Sequence, residues 1–177
     1  MRGAKATRVL CGRPLLAYPA AAVAATCGRL AVVCKPGTDL PAGGDWEVWD
    51  DEPPEPRHPA TGIAHALARA DGPVLACATD MPFVTAAACA ALLEAAAAEP
   101  GAAAVFVAAC EGGLEPLLGA YTPKAGAALQ AAASRGDPLR AAVERLDPVR
   151  VELPAAALRS VNTPEELAAA ERELCRG

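Results

Sequence analysis

Asp80 closes the apolar run VLACA in the stretch VLACATDMPF. A carboxylate leaving the tip of a buried strand can hold a magnesium ion, which takes one or two carboxylates and completes its shell with phosphate oxygens and water. The same spacing suits a cap on a helix that Pro82 helps to start, and residue types alone leave both readings open. Asn162 stands in SVNTPEEL. Thr163, Pro164, Glu165 and Glu166 there are accounted for by a helix start, and Asn162 is not: its amide oxygen could serve a cation, or bond to its own turn. Asp51 ends the stretch WEVWDD, either as a ligand-binding acid beyond a strand or as part of a solvated acidic loop with Asp50 and Glu52. Lys5 follows Gly3 and Ala4. A glycine turn lets backbone approach an anion and a lysine adds a mobile positive charge, so the pair suits phosphate, although a terminal lysine is also often only solvated. The GxxxxGK[ST] and GxGxxG patterns are both absent.

These residues need a scaffold. GRPLLAYPAAAVAAT opens on Gly12 as a turn and predicts a helix with Pro14 at its first position. RLAVVCK, residues 29–35, reads as a short buried strand, and WEVWDD as another. Residues 51–62, DEPPEPRHPATG, are proline-rich and predict a loop, followed by a helix over 63–69. PVLACATD is apolar throughout and predicts a strand buried on both faces. A helix over 84–98 and the buried strand AAAVFVAAC follow, and LEPLLGAY suits a strand or a short buried segment. Asp137 and Pro138 mark a helix start, VRVELP a last strand, and Thr163 to Glu166 a capping box on a closing helix. Strands alternating with helices predict one α/β domain over residues 1–177: a doubly wound, mostly parallel sheet with helices on both faces and its ligands beyond the carboxyl ends of the strands.

Composition narrows the function. The chain has 177 residues, 53% hydrophobic but 3% aromatic, so alanine, valine and leucine must fill the core. Its 16 basic and 21 acidic residues are interspersed, which offers no phosphate-backbone footprint and excludes nucleic acid as the expected partner. The seven cysteines are widely spaced without a CxxC pair, and only His58 and His65 could join them at a metal. The cysteines therefore read as small core hydrophobes of a reducing compartment, and a histidine-rich zinc site is excluded. Arg13, Pro14 and Pro19 interrupt the first apolar stretch, which argues against a signal peptide, and no run approaches a membrane span. A cytoplasmic protein without a membrane is expected.

Five short motifs, taken in order, resemble those of the molybdenum cofactor guanylyltransferases, the MobA-like nucleotidyltransferases. GAKATRVLCGRPLL is similar to GGxxKxxLxLxGRPLL, PATGI to GPLxGI and CATDMPFV to CDxPF, and EPLLGAY and SVNTPEEL also match. The resemblance implies a nucleotide-diphospho-sugar transferase-like fold. It also implies transfer of GMP from magnesium-bound GTP to the terminal phosphate of molybdopterin, with release of pyrophosphate, by a monomer. By motif position Lys5 would contact GTP phosphates, Asp51 the nucleotide, and Asp80 the Mg2+ ion with help from Asn162. Lys5 and Asp80 would thus be catalytic. The chemistry asks for positioning and cations rather than a nucleophilic serine or a histidine base.

The sequence departs from the family in places. The family's first strand and its LAGGxSxRMG loop would lie before Met1, so the sequence is expected to start inside that loop, through a misplaced start, an expression truncation or genuine loss. His58 stands for a glycine, Ala60 for a leucine, Cys34 or Lys35 for a nucleotide-contacting asparagine, and Ser160 for a first asparagine. Two other readings follow: a related nucleotidyltransferase using CTP or another phosphorylated acceptor, and a non-catalytic remnant of the fold.

Overall fold

The computed structural model describes residues 6–70, 72–98, 101 and 103–175. Turn chemistry settles its first element. Cys11 and Gly12, at φ 48° and 77°, join β1 (Val9–Leu10) to β2 (Arg13–Pro14). Two consecutive positive φ angles give the turn whose twist matches an antiparallel hairpin, and Gly12 adopts the conformation without penalty. Pro14 is therefore in β2 and not at a helix start. Pairing runs on through Leu15 N–H to Arg8 O at 2.6 Å, holding these residues extended, and α1 spans Ala17–Ala24 instead. Pro19 is tolerated because it lies in the first turn, where backbone N–H groups have no helical partner.

The next two strands, β3 (Ala31–Val33) and β4 (Glu47–Trp49), pair in parallel with Val32 opposite Val48. The proline-rich stretch after them is only partly a loop: α2 (Pro59–Arg69) begins inside it. His58 caps that helix by accepting the Ala60 N–H on Nδ1 at 3.1 Å, and Pro59 occupies the first position, where its missing N–H costs nothing.

The larger sheet is built from β5 (Val74–Cys77), β6 (Val105–Cys110), β7 (Gly113–Tyr121) and β8 (Val149–Glu152), in the order β5-β7-β6-β8. β5, β6 and β8 run in one direction, and β7 runs against both of its neighbours. The expected α/β architecture with helices on both faces is present, and the reversed β7 is the feature that the apolar runs do not announce. Because successive side chains alternate faces, each strand feeds two cores. Val74, Ala76, Val105, Val107 and Ala109 pack with α2, α4 (Gly126–Arg135) and α5 (Leu139–Glu144). On the opposite face Leu75, Cys77, Ala108 and Leu118 meet α1 and α3 (Ala86–Ala98). Gly119 is required in β7, since a Cβ there would lie 3.0 Å from the Phe106 carbonyl oxygen and 3.2 Å from the Tyr121 ring. β5 departs from its expected full burial. All four of its residues are half-buried, because among the described residues it pairs only with β7.

The chain closes with a 3-10 turn, Ala155–Leu158, and with α6 (Pro164–Leu174). The predicted capping box is present: Thr163 Oγ1 accepts the Glu166 N–H at 3.1 Å and Glu166 Oε2 accepts the Thr163 N–H at 3.0 Å. Cys11 and Cys175 form a disulfide with Cα atoms 5.6 Å apart, which corrects the expectation that all seven cysteines are reduced. Spacing could not reveal this pair because the hairpin and α6 meet only through the fold. Cys27, Cys34, Cys77, Cys89 and Cys110 are unpaired, and burial pushes the Cys89 thiol up to about 11 and Cys77 up to about 12. Among the described residues no helix is long and apolar enough to cross a membrane.

Two predictions follow from these contacts. Thr163→Ala removes one half of the capping box and should lower stability by about 1 kcal/mol, read as a shifted urea midpoint with an unchanged slope. Glu47 accepts from Arg29 at 3.0 and 2.9 Å and from Trp49 Nε1 at 3.0 Å, and these bonds, Arg29's first, hold its carboxyl down from the usual 4.5 to about 2. A depressed folded value means that the contribution is present above pH 4.5 and lost as pH falls toward 2. Glu47→Gln should therefore lose less stability than the parent over that window, and equal losses in urea titrations at the two pH values would refute the assignment.

Candidate functional site

The carboxyl end of β5 carries the first predicted site residue. Beyond Cys77 the ladder continues with Ala78 N–H to Leu117 O at 2.9 Å, and the chain then leaves the sheet through Thr79 and Asp80. Met81 and Val84 are buried and anchor the loop that follows. The helix after this loop has its own cap, since Thr85 Oγ1 accepts the Ala88 N–H at 3.1 Å. This resolves one of the two readings of Asp80, whose carboxylate is not the cap of α3.

The second residue arrives from the far end of the chain. β8 lies parallel to β6, so it delivers the 3-10 turn and residues 159–163 to the same end of the sheet as Asp80. There Val161 N–H donates to the Asp80 carbonyl at 2.7 Å. Val161 is buried with Leu10, Leu15 and Ala170, against which Phe83 and Leu167 also pack, so the bond is seated in a small apolar cluster of its own. Arg159 stacks over the Phe83 ring at 3.8 Å from its centroid and pairs with Glu173 of α6 at 2.7 Å. The segments that carry Asp80 and Asn162 are thus joined by main chain.

Among the described residues, two bonds orient Asn162. Its backbone N–H donates to Glu166 Oε2 at 2.6 Å and its Nδ2 to Ser160 Oγ at 2.9 Å. With the amide nitrogen committed to Ser160, the amide oxygen is the end suited to a cation. Ser160 therefore orients Asn162, a role that sequence reading misses because a serine there reads only as a lost asparagine. An acid and an amide oxygen are hard donors of the type magnesium accepts. Among the described residues no three His, Cys, Asp or Glu side chains cluster as a metal site, so a cation held here would take most of its ligands from phosphate and water.

Asp51 belongs to a second arm, beyond the end of β4. Its Oδ1 accepts from His65 Nε2 at 3.1 Å and is also paired with Arg69 Nη1, both on α2. The His65 bond, with smaller help from Arg69, holds the carboxyl below its usual range. Arg69 also lies over the Trp49 ring at 4.9 Å. Just beyond β3, Lys35 Nζ reaches Glu52 Oε1 at 3.3 Å and the Pro53 carbonyl at 2.6 Å, so this lysine is tied into the arm, while Cys34 is buried beside it. Lys5 lies outside the described residues.

A family model, the MobA-like NTP transferase domain, matches residues 1–149. The fold is also similar to solved structures. Molybdopterin-guanine dinucleotide biosynthesis protein A from Archaeoglobus fulgidus is 24% identical, with 98% of this chain and 91% of that one covered and a TM-score of 0.80. For 2-C-methyl-D-erythritol 4-phosphate cytidylyltransferase from Thermus thermophilus the identity is 23%, the coverage 98% and 94%, and the TM-score 0.73. For 4-diphosphocytidyl-2C-methyl-D-erythritol synthase from Anaerococcus prevotii they are 13%, 98% and 94%, and 0.72. No curated protein matches at a significant level. The sheet and its helices have the nucleotide-diphospho-sugar transferase fold of these enzymes. With most of its length matched, the chain belongs to the MobA-like NTP transferase family and is a nucleotidyltransferase.

Proposed function

We propose that residues 1–177, acting as one monomeric cytoplasmic domain, transfer GMP from magnesium-bound GTP to the terminal phosphate of molybdopterin and release pyrophosphate. The observation that supports this reading is the 2.7 Å bond from Val161 N–H to the Asp80 carbonyl, which joins the backbone segments that carry the acid and the amide beyond the carboxyl ends of parallel strands. The similar protein from Archaeoglobus fulgidus, named for molybdopterin-guanine dinucleotide biosynthesis, supports the choice of nucleotide and acceptor.

In this reading Asp80 and Asn162 hold the ion. Magnesium, when bound, neutralises the triphosphate and stabilises charge on the departing pyrophosphate. The protein's part is positional. An oxygen of the acceptor phosphate attacks the α-phosphorus, the bond from that phosphorus to the bridging oxygen breaks, and the electron pair leaves with pyrophosphate. Lys5 is assigned to the phosphates. Asp51 is assigned to the nucleotide through Oδ2, since both contacts from α2 use Oδ1. His65 and Arg69 then keep that carboxylate ionised and aimed.

A second reading, transfer of CMP to another phosphorylated acceptor, is favoured by the likeness to the cytidylyltransferase. Pyrophosphate release measured with GTP and with CTP, each against molybdopterin and 2-C-methyl-D-erythritol 4-phosphate, separates the two, and release only with CTP sinks the first. Asp80→Asn should lower turnover by on the order of 10²–10³-fold, the scale on which loss of one preorganised electrostatic group acts. Its melting temperature should move by less than about 4 °C, the shift produced by ~1 kcal/mol in a domain of this size. Undiminished turnover in this variant would remove Asp80 from the mechanism.

A further inference from the structure

The disulfide sits where chemistry at sulfur would reach the site. Cys11 is the first central residue of the β1–β2 turn, at φ 48°, and Cys175 caps the carboxyl end of α6. Cys175 is exposed and Cys11 half-buried, so a small thiol or disulfide can approach the bond. The two elements it joins also share the apolar cluster of Leu10, Leu15, Val161 and Ala170, with Phe83, Leu167 and Leu174 packed on it. That cluster contains Val161 and, through Phe83, touches the loop that follows Asp80.

Among the described residues the polar tie on the last turn of α6 is weak. Glu173 pairs with Arg159, but both side chains are about half exposed, and such pairs hold little in water. Leu174 is only partly buried. A covalent link between residues 164 positions apart in sequence therefore adds, beyond the packing of Ala170, a restraint on this end of the helix.

We propose that Cys11 and Cys175 form a reversible thiol–disulfide exchange site whose state sets how firmly α6, and with it Asn162, is held against the Asp80 loop. The co-reactant is a low-molecular-weight disulfide of the glutathione type. The Cys175 thiolate attacks one sulfur of that disulfide, forming a mixed disulfide and releasing one thiol. The Cys11 thiolate then attacks Cys175 Sγ, closes the protein disulfide and releases the second thiol. Two electrons pass from the protein to the small disulfide, and a dithiol reverses the step. The coupling to catalysis rests on the assignment of Asp80 and Asn162 to the cation.

The test begins with the thiol count of the full chain in denaturant. It should be five after incubation with oxidised glutathione, matching the unpaired cysteines, and seven after dithiothreitol. Amide hydrogen exchange in residues 164–175 should then be at least about tenfold faster in the reduced protein, with α4 unchanged, as expected of local rather than global loosening. Cys175→Ser should exchange like the reduced protein and ignore either reagent. The magnesium concentration for half-maximal pyrophosphate release should rise about two- to fivefold on reduction and return with oxidised glutathione, following the looser hold on Asn162. Seven thiols persisting under oxidised glutathione, or equal exchange in the two states, would overturn the proposal. Unequal exchange in a protein that releases pyrophosphate from no nucleotide would support the redox site and count against the functional reading.

Discussion

One backbone hydrogen bond, from Val161 N–H to the Asp80 carbonyl at 2.7 Å, joins parts of the chain that are far apart in sequence, and the proposed site depends on it. Its strength comes from where it lies. Met81 on one side and Val161 on the other are almost wholly buried, so the bond is made among apolar side chains, where an unmade partner would be costly. Met81 and Val84 pin the Asp80 loop to the sheet, and Val161 is held by the hairpin and α6. Nucleotidyl transfer requires little covalent help from a protein and much positioning, and a rigid main-chain link supplies the latter.

Sheet direction explains why the two ends meet. β5, β6 and β8 share a direction, so the chain emerges from β5 and from β8 at the same edge of the molecule, while β7 returns between β5 and β6. Asp80 follows β5 directly. Asn162 needs the extra reach of the turn Ala155–Leu158 because β8 lies at the opposite margin of the sheet from β5. The second arm, β3 with β4, reaches the same helix layer by side chains: Asp51 binds His65 and Arg69 of α2, and Val74 and Ala76 of β5 pack in the same core as α2. α2 therefore ties the arm that bears Asp51 to the sheet that bears Asp80.

Much of this was legible residue by residue. VLAC and VFVAAC read as buried strands because both faces of each are apolar, and Thr163, Pro164 and Glu166 read as a helix start because that chemistry is local. The start of α2 was hidden by prolines, since a proline-rich loop and a proline at a first helical position look alike until His58 is seen capping the helix. The direction of β7 and the Cys11–Cys175 bond were hidden for another reason: each is decided by which distant segment lies alongside. Asp80 and Asn162 could be singled out, but their meeting depends on Val161, which reads as one more apolar residue. Ser160 was hidden because its value is its bond to Asn162 Nδ2, which requires the turn to be formed.

The helix starts around the site show a division of labour. α3 is capped by Thr85 and α6 by Thr163 with Glu166, and Glu166 also accepts the Asn162 backbone N–H. Asp80 and Asn162 each precede a helix, where such side chains ordinarily act as caps, yet neither is spent in that way. A threonine performs the structural task in both cases. Helix stability at this end thus rests on hydroxyl groups and Glu166, whereas the cation proposed above is assigned to Asp80 and Asn162. Stability and ligand binding can accordingly be altered by different substitutions in the same few residues.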